Sequence, residues 1–248
     1  MATRLIFWRK EEEDAASDEA HAKPGVLSDF ILGSQDGLVN VLGVILGVAI
    51  ASRDITIILA GGLAATFAES ISMGAVAYTS TLARRDHYLS EVEREKQEMV
   101  DLPDRERQEV RDILARWEFH GQELEDMLDR IVAKPKAWLE LMMAHELNLA
   151  PVDRGQARKS AFLVGTAAIV GSLVPLIPFM FVDSAGIFVA ILTSLVVSAI
   201  SLFVIGWWKA KSTVGRPARS GLQMALIGIA SALAGFGIAF LVAGGRGA

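Results

Sequence analysis

Residues 27–52 read LSDFILGSQDGLVNVLGVILGVAIAS, and residues 55–82 read ITIILAGGLAATFAESISMGAVAYTSTL. Each stretch exceeds the ~20 apolar residues that an α-helix needs to cross the hydrocarbon of a bilayer. The two runs connect through Ser52-Arg53-Asp54, so the pair is expected to form a tight hairpin. Three more stretches, roughly 160–182, 185–208 and 220–243, meet the same requirement. Pro175 and Pro178 should kink the first of these, because proline removes a helix hydrogen bond. The expected fold class is therefore all-α: a polytopic membrane protein with five transmembrane helices and a small cytoplasmic helical domain between helices 2 and 3.

Charge supports this division. Of 29 acidic residues, six precede residue 28, and outside the 83–160 block only Asp29, Asp36, Asp54, Glu69 and Asp183 remain. The chain is 52% hydrophobic with mean hydropathy +0.39. The organisation expected is a disordered cytoplasmic tail at 1–26, transmembrane helices 1–2 at 27–82, a helical domain at 83–159, transmembrane helices 3–5 at 160–243, and a tail at 244–248. The apolar stretch in Met1 to Lys10 is too short for a signal peptide, and the acidic run Glu11-Glu12-Glu13-Asp14 follows it. Net charge of −5 without a basic stripe argues against nucleic acid, and the absence of cysteine excludes thiol chemistry and zinc fingers.

Lysine and arginine in the short loops set the orientation. Lys209, Lys211, Arg216 and Arg219 fall in one loop, Arg84 and Arg85 follow span two, and Arg154, Arg158 and Lys159 precede span three. All agree on a cytoplasmic N-terminus and a cytoplasmic 83–159 block; Arg53 alone dissents. The short loops favour the cell (inner) membrane. Within the block, helices are expected over about 83–100, 104–117, 119–133 and 135–149, with Asp104 capping the second.

Asp36 and Glu69 are the acidic residues inside these spans away from their ends, and no Lys or Arg lies inside any span. An unpaired charge at the bilayer centre costs at least ~2.5–3.5 kcal/mol, so each must be protonated, hydrated or bound to a cation. At ~1.5 Å per residue, Asp36 and Met73 both lie near ~14 Å from the cytoplasmic boundary, with Glu69 one turn from Met73 on the same face. Two carboxylates and a thioether can thus meet between two helices, a set that leans towards transition metals over Mg²⁺ or Ca²⁺. On span one, Gly33/Gly37 and Gly43/Gly47 are spaced either for tight packing within one subunit or for a dimer seam.

Outside the membrane, Glu91, Glu95 and Glu98 share a helix face, and Glu106 and Glu109 repeat the spacing. Arginines and lysines between them fit a solvated mixed-charge surface equally well. Met142 and Met143, one turn before Glu146, read either as a soft-plus-hard metal face or as the core of a small domain.

Together, Asp36-Gly37-Leu38-Val39-Asn40, Ser72-Met73-Gly74, the acidic block and Met142-Met143-Ala144-His145-Glu146 resemble the vacuolar iron transporter (VIT/CCC1-like) family from residue 27 to the C-terminus. The resemblance implies a homodimer that exports Fe²⁺, and in some members Mn²⁺, from the cytosol in exchange for protons, as a metal antiporter and not an enzyme. It implies that Asp36 and Met73 line the pathway. It also implies that Glu95, Glu98, Glu106, Glu109, Met142, Met143 and Glu146 hold metal in the cytoplasmic domain. Many members carry a Gly-Glu pair after the Ser-Met; here the stretch is Gly74-Ala75-Val76-Ala77, and Glu69 is the carboxylate on hand for the pathway. The expected partners are divalent ions, protons, the lipid bilayer and a second copy. No tightly bound cofactor is expected, since the metal is cargo. A membrane-anchored sensor or scaffold is the alternative. A di-iron enzyme is disfavoured because no histidine follows a glutamate at the Glu-x-x-His spacing.

Overall fold

The computed structural model describes residues 24–183 and 186–244. The expected tail at 1–26 falls almost wholly outside the described residues, as does the tail at 244–248 beyond Gly244. The described chain is helical throughout, without strands: α1 Pro24–Ser52, α2 Ile55–Asp101, α3 Pro103–Arg116, α4 Gly121–Val132, α5 Pro135–Leu141, α6 Arg154–Leu176, α7 Ile187–Lys211 and α8 Pro217–Gly244. A π-helical turn, Met142–Glu146, prolongs α5, and a 3₁₀ turn, Ile177–Phe181, prolongs α6. Five helices (α1, α2, α6, α7 and α8) are long and apolar enough to cross a membrane. α2 has 47 residues, about 70 Å of helix against about 30 Å of hydrocarbon, so its apolar first part, 55–82, is the spanning portion.

The helices divide into two compact units. One comprises the described residues up to Gly74 and from Phe162 onward; the other is Ala75–Ala161. In the first, α1 is the central element: Leu38, Val41, Leu42, Ile45 and Leu46 are fully buried. With little hydrophobic drive between helices in lipid, close backbone packing holds them together. A Cβ at Gly33 or Gly37 would run into the backbone of α6 at Val164 and Ala168, and one at Gly171 into the backbone of Ser34. Further along, a Cβ at Gly47 would lie 2.9 Å from Ala239 Cβ and one at Gly43 would lie 3.8 Å from Ala232 Cα, both on α8. Both glycine pairs of α1 therefore pack within this one chain.

The α1–α2 hairpin turns as its residues suggest. Arg53 takes a positive φ of 52°, and Asp54 Oδ1 accepts from Thr56 N at 2.7 Å and Ile57 N at 3.2 Å, capping α2. Pro175 and Pro178 end the regular helix at Leu176, and Ser194 Oγ donates to Pro175 O at 2.8 Å from α7. At the charged ends the helices run beyond the apolar stretches. α7 runs on through Lys211 and α8 starts at Pro217, which leaves a much shorter connection than 209–219, because lysines satisfy a helix C-terminus and proline suits N1.

The second unit packs α3, α4 and α5 on Val110, Ile113, Leu114, Leu124, Leu128, Trp138 and Met142. Arg111 bonds both carboxylate oxygens of Glu125 at 2.9 and 2.8 Å, and Arg107 reaches Asp129 at 2.6 Å, tying α3 to α4. Asp104 does not cap α3. Leu102 stands at the N-cap without a side-chain bond, Pro103 opens the helix, and Asp104 sits in its first turn, where it still favours the helix dipole.

The glycine contacts yield a stability test. Gly171→Ala presses a methyl into the α1 backbone and should cost about 1–3 kcal/mol of stability. Gly237→Ala, with nothing within 4 Å, should be neutral or slightly stabilising. Thermal melting of the purified protein in detergent compares the two.

Candidate functional site

The membrane carboxylates lie on the flank of α1 and α2. Asp36, Glu69 and Met73 are half-buried and Asn40 is exposed. Asn40 Nδ2 donates to Glu69 Oε1, joining α1 to α2, and Asp36 lies within electrostatic reach of the same carboxylate. A cavity of about 300 Å³ opens at Asp36, with Gln35 and Asn40 from α1 and Ser231 from α8 in its wall. A larger groove of about 780 Å³ continues along α1 and α8, lined by Gly43, Gly47, Gly235 and apolar side chains; its polar groups are Asn40 and Ser231. Sequence reasoning gave no role to Asn40, Gln35 or Ser231. For Asn40 a signal existed: it follows Asp36 by four residues and so shares its helix face.

The second unit draws three carboxylates together. Glu95 on α2, Glu106 on α3 and Glu146 in the π turn each offer an oxygen, all within 4.8 Å of one another. Glu95 and Glu106 are each only 1% exposed. Glu95 Oε1 and both oxygens of Glu106 receive no hydrogen bond from any donor among the described residues. The hydrogen bond open to this pair is a proton shared between the two carboxyls. Burial, and then the neighbouring Glu106, pushes Glu95 up to about 8. Burial, then the charges of Glu109 and Glu106, pushes Glu146 up to about 7. Burial also raises Glu106.

The other acidic candidates are differently placed. Glu98 faces Arg94 at 3.8 Å and Glu109 takes a hydrogen bond from Arg105 at 3.1 Å; both stand at the edge of the cluster and act on it through their charge. Glu91 is neutralised by Arg94 at 2.6 Å. Met142 is fully buried in the apolar core of the unit, while Met143 is buried in the same π turn as Glu146. A π turn carries an i→i+5 bond, here Leu147 N to Met142 O at 3.2 Å, and such turns recur at functional sites. Trp117 packs edge-on against His145, with ring centroids 4.8 Å apart, and fixes the outer side of that turn.

Two buried carboxylates lacking donors are expensive unless protonated or bound to a cation. Three converging oxygens suit a divalent ion, and a thioether in the same turn favours a transition metal over Mg²⁺.

The VIT family profile matches residues 27–240. The chain is 37% identical to "Vacuolar iron transporter 1" of Eucalyptus grandis over 222 residues, covering 89% of this chain and 88% of that protein. It is 34% identical to "Vacuolar iron transporter 1" of Arabidopsis thaliana over 225 residues, covering 90% and 89%. It is 26% identical to "Protein CCC1" of Saccharomyces cerevisiae over 213 residues, covering 83% and 65%.

A metal ion at this cluster would compete with protons. Mn²⁺ binding by the full-length protein, followed by calorimetry, should tighten as pH rises through about 7 and about 8 and weaken in acid. Glu106→Gln should lower the affinity by about tenfold or more. Metal-free stability runs the opposite way. The folded carboxyls hold their protons above their ordinary range, so stability is full in acid and falls as pH rises towards about 8, a slope that Glu95→Gln flattens.

Proposed function

The chain belongs to the VIT family, as a multi-pass membrane transporter of metal ions and not an enzyme, and on that premise we propose that it exports Fe²⁺, and also Mn²⁺, from the cytoplasm in exchange for protons. The observation that carries this reading is the pairing of two carboxylate sites that lack cationic partners. Glu95, Glu106 and Glu146 converge in the Ala75–Ala161 unit, and within the spans Asp36 of α1 lies within electrostatic reach of Glu69 of α2. The first collects the ion. Asp36, Glu69 and Met73 pass it through the membrane. A carboxylate that releases a metal at low pH takes up a proton in its place, so the same groups serve both cargoes.

Asp36, Asn40 and Glu69 stand on a face that is open in the single chain. Polar groups at that depth do not face lipid. A second copy of the chain covers them in this reading, making the transporter a homodimer with its pathway beside α1. The Lys and Arg distribution puts the N-terminus and the 83–159 block on the cytoplasmic side. We place the chain in the cell (inner) membrane. The plant relatives are vacuolar by name. In either membrane the direction is out of the cytoplasm.

The test is metal flux in proteoliposomes carrying a pH dye, with Fe²⁺, Mn²⁺ and Zn²⁺ offered in turn. Wild type should move Fe²⁺ and Mn²⁺ with counter-movement of protons, and Asp36→Ala should fall to the leak of protein-free vesicles while melting normally. Unchanged flux in Asp36→Ala overturns the pathway. Absence of any flux, with metal still bound by the carboxylate cluster, replaces the transporter with a metal sensor.

A further inference from the structure

At the Pro24 end of the first unit, α1 and the end of α7 enclose a cavity of about 590 Å³. Its floor is apolar, made by Leu27, Ile31 and Leu32 of α1, and its rim is polar, made by Ser28, Lys209 and Ser212. Asp29, the one carboxylate on this turn of α1, is not among the lining residues. Beyond the rim, Arg216 and Arg219 line a smaller recess of about 230 Å³ with Ser220 and Gln223. None of Lys209, Lys211, Arg216 and Arg219 has a carboxylate within 4.0 Å among the described residues. Trp207 and Trp208 flank the rim, 39% and 42% exposed. Trp208 packs edge-on against Phe30 of α1 at 5.6 Å, and Lys211 lies over the Trp207 ring at 4.9 Å. Tryptophans with lysines at a helix end mark the level where hydrocarbon gives way to headgroups.

We propose that this cavity binds one anionic glycerophospholipid of the surrounding bilayer, its phosphate on Lys209 and the serine hydroxyls and an acyl chain along Leu27, Ile31 and Leu32. No carboxylate among the described residues answers the charge of the site, its lining includes three large apolar side chains, and it sits at headgroup depth beside a basic turn, a combination that suits an anionic lipid better than a soluble anion. The lipid touches the transport machinery, because Leu32 and Gln35 also line the cavity at Asp36. An acyl chain lying on Leu32 therefore forms part of the wall around that carboxylate.

Native mass spectrometry of the full-length protein, released from bilayers of mixed phosphatidylglycerol and phosphatidylcholine, reads the occupancy directly. Wild type should retain phosphatidylglycerol in preference to phosphatidylcholine, and an excess of inorganic phosphate should not displace it. Lys209→Gln should lower retention about fivefold, the share of one cation near a headgroup. Leu32→Trp should expel the lipid by filling the groove, with all charges kept. Leu32 is 52% exposed and Lys209 is exposed, so both variants should melt as wild type does. Equal retention of the two lipids overturns the proposal, as does an equal loss in Arg219→Gln, which would mean diffuse attraction to the basic turn. Displacement by phosphate assigns the site to a free anion instead. Retained lipid in Leu32→Trp, with loss of a dimer mass, assigns the groove to a second copy of the chain.

Discussion

A carboxylate taken out of water needs a cation, and at two places this chain supplies carboxylates and withholds the cation. In the spans, Asp36 and Glu69 have no lysine or arginine to answer them, and an asparagine amide is the neighbour that Glu69 receives. In the other unit, arginines go to Glu91, Glu98 and Glu109 and stop short of Glu95 and Glu106. The rest of the architecture follows from keeping those groups where they are. Glycines let α1 lie against α6 and α8, so that Asp36 is held on a rigid helix, and the Arg111–Glu125 and Arg107–Asp129 pairs lock α3 to α4 beneath Glu106. A buried carboxylate cluster of this kind is costly to fold around, and a cation from solution would relieve that cost.

Hydropathy made the spans legible, because a bilayer imposes one length and nearly forbids charge. The helices run beyond the apolar stretches. At Lys209–Lys211 and Pro217 the chain is polar yet still helical, since an interface tolerates both. The proline breaks at Leu102-Pro103 and Lys134-Pro135 fixed the small helices to within a few residues. Both glycine pairs of α1 were readable as contact points; what they touch was not, because spacing names a face and not its neighbour.

The candidate ligands divided along similar lines. Spacing alone put Glu91, Glu95, Glu98, Glu106 and Glu109 on common faces, and nothing in that pattern says which of them an arginine side chain will reach. That depends on rotamers and burial, and it leaves Glu95 and Glu106 unpaired. The contact between Asn40 and Glu69 spans 29 residues and two helices, beyond any local pattern. Met142 and Met143 look alike in sequence; one fills the core, and the other is buried in the turn that carries Glu146.

The π turn at Met142–Glu146 amounts to one residue more than the α-helical ladder would hold. In an α-helix each residue advances the azimuth by about 100°. Were the same five residues wound as regular α-helix, Glu146 would take a different azimuth and lose phase with Glu95 and Glu106, although every ligand would still be present in the sequence. The cluster is thus encoded by register as well as by identity. A substitution that pressed the turn back into regular helix would therefore take the third carboxylate from the site while leaving it in the chain.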